Sequence, residues 1–287
     1  MRTIAFDKVV SAVEQLVIAA AHELPADVIN ALEKAIERET NERAKNILRQ
    51  LLENAKVAQK EQIPLCQDTG VAVVFVEQGV QAAIEPPASN PNATITDAIN
   101  AGIASGYEKG YLRKSIVAEP LHTRKNTDTN TPAVIHYQPV AGDKLKISVM
   151  AKGGGCENKS QFKMFKPTAD IKEVSAWVVD VVKNAGADAC PPLVVGVGLG
   201  GNFELACLLS KKALLRPLGA NHSDSFYADI EKSLLAKINQ LGIGPQGLGG
   251  DTTALAVMIE TAPCHIASLP AAVNIECHSH RHKSAIL

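Results

Sequence analysis

Cysteine offers the most chemistry in this chain of 287 residues, and it occurs six times, at Cys66, Cys156, Cys190, Cys207, Cys264 and Cys277. Six thiols are too few for a secreted disulfide scaffold of this length, so they read as core filler, catalyst or metal ligand in a reducing compartment. No C-x-x-C pair occurs, which excludes zinc-ribbon and ferredoxin-type local clusters; a metal site would have to be assembled from distant segments. Three thiols have unusual neighbours. Cys66 lies in Pro64-Leu65-Cys66-Gln67-Asp68-Thr69-Gly70, where a thiol, an amide, a carboxylate and a hydroxyl precede an apolar run; the same turn is compatible with Asp68 and Thr69 bonding their own backbone. Cys190 precedes Pro191-Pro192, a stiff corner that presets direction for a ligand or simply holds a buried thiol. Cys277 opens Cys277-His278-Ser279-His280-Arg281-His282, whose alternating imidazoles suit a metal in an extended segment and equally suit a solvated tail. Cys207, inside Leu205-Ala206-Cys207-Leu208-Leu209, reads as core filler.

Two glycine-rich stretches add candidates. Lys152-Gly153-Gly154-Gly155-Cys156-Glu157-Asn158 is either an anion-binding backbone or an ordinary turn. Gly196-Val197-Gly198-Leu199-Gly200-Gly201 falls between an apolar strand and a helix, where a helix N-terminus can bind an anion. It is not the dinucleotide fingerprint: the glycine spacing is wrong, and Asn221 and His222 stand where an acidic ribose partner belongs. No P-loop is present either.

These segments need a scaffold. Val9, Val10, Val13, Leu16, Val17 and Ala20 recur at helical spacing; Pro25 opens a second helix with Val28, Leu32 and Ala35; Thr40 caps a third with Ala44, Ile47, Leu48, Leu51 and Ala55. Residues 1–62 thus form a helical N-terminal part. A continuous β-rich run, Val71 to Val76, predicts a buried strand. Helices are predicted over 96–108, 171–185, 202–215 and 223–241, and strands over 133–137, 144–150, 193–197, 252–260 and 271–276. The stretch 113–132, rich in Thr, Asn, Asp and Pro, reads as a long ordered loop kept for function. With no repeat, low-complexity segment or linker, the expected fold is a single α+β domain over 1–287, a helical cap on a mixed β-sheet with surrounding helices.

Lys plus Arg number 29 against 30 for Asp plus Glu, and 46% of residues are hydrophobic, which excludes disorder, collagen and coiled coil. The dispersed, nearly neutral charge leaves no footprint for nucleic acid. Met1 to Lys8 lacks a basic segment leading into an apolar core, and no apolar stretch is read as the ~20 residues of a membrane span. A soluble cytoplasmic protein is expected, with a small-molecule ligand or a protein partner, no nucleic acid and no membrane.

Taken together, Pro-Leu-Cys-Gln-Asp-Thr-Gly at 64–70, Gly-Gly-Gly-Cys-Glu-Asn at 153–158, Cys-Pro-Pro at 190–192, Gly-Val-Gly-Leu-Gly-Gly at 196–201, Gly-Ile-Gly-Pro-Gln-Gly at 242–247 and the Cys277 segment resemble, in this order, the α subunit of class I fumarate hydratases and L-tartrate dehydratases. The resemblance covers nearly the whole chain. It implies an oxygen-sensitive 4Fe–4S cluster held by three cysteines with one iron open, the ligands being Cys66, Cys190 and Cys277; Cys156, Cys207 and Cys264 are not ligands on this reading. An open iron would act as a Lewis acid on substrate carboxylate and hydroxyl while a base removes a proton from the neighbouring carbon. The resemblance further implies that Gln67 and Asp68 contact substrate, that Asp68 and His265 are catalytic, that backbone around Gly154 binds a carboxylate, and that Arg113 matches a carboxylate-binding arginine, a task suited to its planar fork. Residues alone would make Arg113 a surface charge and His265 a core histidine. The family's Asn-Thr-x-Asp-Asn-Thr-Pro appears here as Asn126-Thr127-Asp128-Thr129-Asn130-Thr131-Pro132, with Thr129 in place of the Asp. Fused enzymes of the family carry a second domain with further cationic ligands; none is read before Leu287, so a separate β subunit is implied, in an α2β2 assembly, with the single chain inactive alone.

The function expected first is therefore the α subunit of a fumarate hydratase, interconverting fumarate plus water with (S)-malate, a reaction of the tricarboxylic acid cycle; Glu157-Asn158 and the Asn-Thr-Pro loop lean that way. The alternative is the α subunit of L-tartrate dehydratase, giving oxaloacetate. Outside the class stand a non-catalytic phosphate or nucleotide-binding module built on Gly196 to Gly201, indifferent to iron, and a structural or regulatory subunit whose thiols are core.

Overall fold

In a computed structural model describing residues 1–287, the elements in chain order are β1 (Arg2–Ala5), α1 (Phe6–His22), α2 (Ala26–Arg38), α3 (Glu42–Glu61), β2 (Val71–Gly79), β3 (Ala82–Glu85), α4 (Ile95–Lys109), β4 (Val134–Val140), β5 (Leu145–Lys152), α5 (Gly154–Glu157), β6 (Gln161–Phe165), α6 (Ile171–Ala185), β7 (Leu193–Gly201), α7 (Phe203–Ala213), α8 (Ser225–Asn239), β8 (Ala254–Cys264), β9 (Leu269–Glu276) and β10 (His282–Ile286). Short 3-10 turns occupy Gly186–Ala189 and Pro245–Gly247. The chain is α+β and folds into two compact units, one of Met1–Pro25, Ala55–Gly153 and Arg281–Leu287, the other of Ala26–Asn54 and Gly154–His280. The N-terminal helices are shared out accordingly: α1 is in the first unit, α2 in the second, and α3 runs through the boundary at Asn54.

The first unit is built on a four-stranded sheet in the order β10-β5-β2-β4, with β2 parallel to β4 and antiparallel to β5. The run Val71 to Val76 is its interior strand, and Ala72, Val73, Val74 and Val76 are buried. Helices α1 and α4 pack on one another and bury Val9, Val13, Val17, Ile99 and Ile103 together with Val74, Val76, Ile147 and Val149. Their approach depends on glycine. A Cβ at Gly102 would lie 2.7 Å from the Val10 carbonyl oxygen and from Val13 Cβ, so no larger residue fits there. Helix α4 starts at a reciprocal cap, Thr94 accepting from the Asp97 N–H while the Asp97 carboxylate accepts from the Thr94 N–H. β1 and β3 form a separate parallel pair in the same unit.

The second unit holds a sheet in the order β6-β9-β7-β8, with β7 parallel to β8 and antiparallel to β9. Val178, Val182, Val195, Val197, Leu234, Ile259, Val273 and Ile275 form its core, each such burial contributing about 1.5–3 kcal/mol.

Several expectations change. Gly196 to Gly201 is strand β7 itself, not a loop ahead of a helix. A Cβ at Gly196 or Gly198 would lie 2.0 Å from the carbonyl oxygens of Ser210 and Ala206; these glycines let α7 seat on the strand, and the anion-binding reading loses its basis. Thr40 is not the cap of α3. Asn41 Oδ1 accepts from the Arg43 and Ala44 N–H groups at 2.9 and 3.2 Å, while the Thr40 hydroxyl donates to Asp251 at 2.6 Å. The His segment is not a solvated tail, because Ser279, His280 and Arg281 are buried. By length and composition Phe6–Arg38 is apolar enough to cross a membrane, contrary to the expectation above; the helix nonetheless breaks after His22, and Val9, Val13, Leu16 and Val17 face the core of the first unit.

Candidate functional site

In the first unit the turn Pro64 to Gly70 is held from several sides. The Leu65 N–H donates to the Ala21 carbonyl at 2.9 Å. Gly70 has φ +77°, and a Cβ there would meet the Lys152 carbonyl oxygen at 2.7 Å, so glycine is required twice over. The Tyr107 hydroxyl lies 2.8 and 3.0 Å from the carbonyl oxygens of Thr69 and Gly70, and burial pushes the phenol's pKa well above its ordinary value. Asn130 is fully buried with φ 57°; its Nδ2 donates to Gly70 O at 3.1 Å and its Oδ1 accepts from the Ser115 N–H at 2.7 Å. Arg281, 1% exposed, donates from Nη1 to the Asp68 carbonyl at 2.6 Å. Asp68 Oδ1 accepts from the Gly70 N–H at 3.0 Å. A Cβ on Gly153 would come within 3.3 Å of Asp68 Oδ2 and 3.6 Å of Arg281 Nη2, so the glycine keeps space beside both groups.

Of the expected site residues, this unit gathers Cys66, Gln67, Asp68 and Arg113. Cys66 is half-buried with Sγ 3.4 Å from Gln67 Oε1. Gln67 is exposed. Arg113 is an exposed side chain whose backbone carbonyl accepts the Thr69 hydroxyl at 2.6 Å, which ties the loop after α4 to the turn. Thr129, the departure from the family pattern, is exposed and bonds the Thr131 hydroxyl at 2.7 Å.

The second unit holds a separate cluster. Cys190 ends the 3-10 turn in the left-handed region, φ 54°, ψ 64°, with its side chain exposed, and Pro191-Pro192 is cis. Gln246 fastens this corner through its N–H and Nε2, 2.7 and 3.0 Å from the Pro191 carbonyl. The His278 N–H donates to the Cys190 carbonyl at 3.4 Å, so the Cys190 and Cys277 segments meet. Buried Cys277 also has Cys156 and Glu276 beside it, their ligand atoms all within 4.8 Å of one another. Gly154 is exposed at the start of the one-turn helix α5, which replaces the flexible glycine turn read from sequence. His265 is not a core histidine: it sits exposed in the turn between β8 and β9, its Nδ1 accepting from the Ala267 N–H at 3.1 Å. Cys207 is only partly buried, its thiol pKa raised by desolvation, and Cys264 is exposed. Tyr107, Asn130, Arg281 and Glu276 were not singled out as site residues in the sequence. Asn130 stands inside a motif already noted, and the buried Arg281 inside the His segment.

The donor set suits a thiophilic centre, since thiolates select iron–sulfur clusters, zinc and copper(I). A sequence model described as fumarate hydratase (Fumerase) matches residues 10–286. The chain is 43% identical over 279 residues, 96% of this chain and 95% of its relative, to a protein provisionally named L(+)-tartrate dehydratase subunit alpha from Methanocaldococcus jannaschii. It is 32% identical over 260 residues, 90% of this chain and 84% of each relative, to the L(+)-tartrate dehydratase subunit alpha of Escherichia coli K12 and of Shigella sonnei. The chain belongs to the fumarate hydratase (Fumerase) family, a family of hydro-lyases. Those named relatives are tartrate enzymes and are called alpha subunits, a name that implies a second kind of subunit in them.

Proposed function

We propose that this chain is the α subunit of a hydro-lyase that dehydrates L(+)-tartrate to oxaloacetate, working with a β subunit in an α2β2 assembly. The observation that carries the hydro-lyase reading is the meeting of the Cys190 and Cys277 segments at a fixed corner of the second unit, because cysteine-bearing segments far apart in sequence and joined on rigid backbone suit a metal-dependent dehydration. The choice of tartrate rests on the names of the relatives. Fumarate hydration remains the second reading, supported by the family match.

Cys66, Cys190 and Cys277 would hold a 4Fe–4S cluster; when bound, it supplies Lewis acidity to a hydroxyl that is otherwise a poor leaving group. The remaining work falls to the chain's own groups. The Asp68 carboxylate, oriented by the Gly70 N–H, holds or moves the proton taken from the carbon next to the departing hydroxyl, with His265 as the second proton carrier. Gln67 orients the substrate, and Arg113 and the backbone at Gly154 receive its carboxylates. The carbon loses its proton, the neighbouring carbon loses hydroxide as water, and the resulting enol becomes the keto acid.

The deciding experiment is iron and acid-labile sulfide per chain in protein isolated without air, beside Cys66→Ser, Cys190→Ser and Cys277→Ser. Near-stoichiometric cluster, lost in each variant, is expected. With the partner subunit supplied, L(+)-tartrate should turn over faster than fumarate or malate; the reverse order would select the fumarate reading, and full-rate turnover by the chain alone would remove the β subunit.

A further inference from the structure

Cys156 and Cys277 are both buried, and with Glu276 their ligand atoms lie within 4.8 Å of one another. Cys156 Sγ donates to the Ala189 carbonyl at 3.3 Å, and the Cys277 N–H donates to Glu276 Oε1 at 3.3 Å. The proposed ligand set uses Cys277 and leaves Cys156 without a task. Two buried thiols this close can be joined by an oxidant small enough to reach them. We propose that Cys156 and Cys277 are a peroxide-responsive disulfide pair: when the chain without metal meets hydrogen peroxide, they bond to one another, and Cys277 is thereby spared irreversible oxidation.

The steps balance with peroxide as the oxidant. One thiol sulfur attacks a peroxide oxygen, the O–O bond breaks, and the displaced hydroxide takes the thiol proton to become water, leaving a sulfenic acid. The second sulfur then attacks the first, the S–O bond breaks, and the second thiol proton leaves with the hydroxide as another water. Two thiols and one peroxide give one disulfide and two waters, a two-electron exchange. The bond needs about 2.05 Å between sulfurs, so the side chains must turn towards each other. The segment bearing Cys156 is a single turn, and a Cβ at its Gly155 would meet only the Asp188 carbonyl oxygen, at 3.7 Å, so the turn has room to adjust on its Gly155 side. That the bond withholds Cys277 from metal rests on the ligand reading above; the bond itself does not.

The test uses the full chain stripped of metal with a chelator under reductant, desalted, exposed to a several-fold molar excess of hydrogen peroxide, unfolded, alkylated and digested without reduction. Mass spectrometry should find a peptide pair joined through Cys156 and Cys277. In Cys156→Ser, which keeps a donor for the Ala189 carbonyl, and in Cys156→Ala, the pair should vanish and Cys277 should advance to sulfinic acid; circular dichroism reports whether each variant is folded. Both cysteines still fully alkylated, Cys277 joined to another cysteine, or sulfinic Cys277 in the wild type beside an alkylated Cys156 would each overturn the proposal. A second arm adds ferrous iron and sulfide without air to the reduced and oxidised chains. The oxidised chain should take up iron only after dithiothreitol. Equal uptake with the bond mapped would refute Cys277 as a ligand and leave the disulfide standing, and no uptake even by the reduced chain would count against the cluster alone.

Discussion

Arg281 reaches back 213 positions to donate from Nη1 to the carbonyl oxygen of Asp68 at 2.6 Å, so a fully buried guanidinium holds the backbone of the residue proposed to move the proton. The bond fixes Asp68 by its main chain, while its Oδ1 accepts from the Gly70 N–H at 3.0 Å.

Truncating that arginine should therefore damage placement more than affinity. Arg281→Ala strands a part-buried carbonyl, at a cost of about 1–2 kcal/mol, and should lower kcat on the order of 100-fold, the scale of a misplaced catalytic group, with a smaller change in KM. Arg281→Lys, which keeps a donor but not the planar fork, should fall between the two. Urea denaturation and steady-state kinetics with the partner subunit check both. An Arg281→Ala enzyme with wild-type kcat would show that the bond is only structural.

Tyr107 and Asn130 meet at one acceptor, the Gly70 carbonyl, at 3.0 and 3.1 Å. A carbonyl keeps a partner when either donor is lost and has neither when both are. Tyr107→Phe and Asn130→Ala should each cost about 1–2 kcal/mol, and the double variant should exceed their sum by about 0.5–1 kcal/mol. Strict additivity in a denaturation cycle would mean that the two donors hold the turn independently.

Gly198 separates the hydro-lyase reading from a nucleotide-binding module. Its missing Cβ would lie 2.0 Å from the Ala206 carbonyl oxygen, so Gly198→Ala should push α7 off β7 and cost about 3 kcal/mol or more, the upper end for overpacking. Millimolar ATP or phosphate should leave the melting temperature of the wild type unchanged. A nucleotide-dependent rise that Gly198→Ala abolishes without unfolding the chain would restore the binding-loop reading.

What the sequence disclosed, and what it hid, follows from the range of the forces involved. Val71 to Val76 announced a buried strand because six consecutive apolar, mostly β-branched residues have few other uses, and the ordered motifs around Cys66, Cys190 and Cys277 disclosed the family, since each is a local string. The four residues of β1 and the five of β10 are too short to show a period, and their pairing comes from partners 80 or more positions away. Gly196 to Gly201 misled because glycine spacing looks the same whether the missing side chain admits a phosphate or a helix; only the seat of α7 decides. Arg281 was hidden for a similar reason. A charged residue beside three histidines reads as solvated until tertiary structure supplies the Asp68 carbonyl. Residues alone leave Cys156 undecided and the resemblance sets it outside the ligands, because its nearness to Cys277 depends on α5, β9 and the Cys190 corner packing together.

Glu14 carries a pH signature that belongs to the fold alone. It accepts from the Ser105 hydroxyl at 2.5 Å and from Lys109 Nζ at 2.9 Å, joining α1 to α4, and the Ser105 bond first and the Lys109 bond second hold its pKa below the ordinary 4.5. A carboxylate whose pKa is depressed on folding adds stability that is complete above the unfolded value and is lost as pH falls through the folded one. Glu14→Gln should thus be less stable than wild type at pH 7, by about 0.5 kcal/mol given the exposure of Lys109, and the gap should close as pH drops from 4.5 towards 3. Melting temperatures of both proteins across that range test this. A gap that stays constant down to pH 3 would mean that the charge of Glu14 is not its source, and no gap at pH 7 would mean that the Ser105 contact, which a glutamine amide can still accept, holds the helix pair without it.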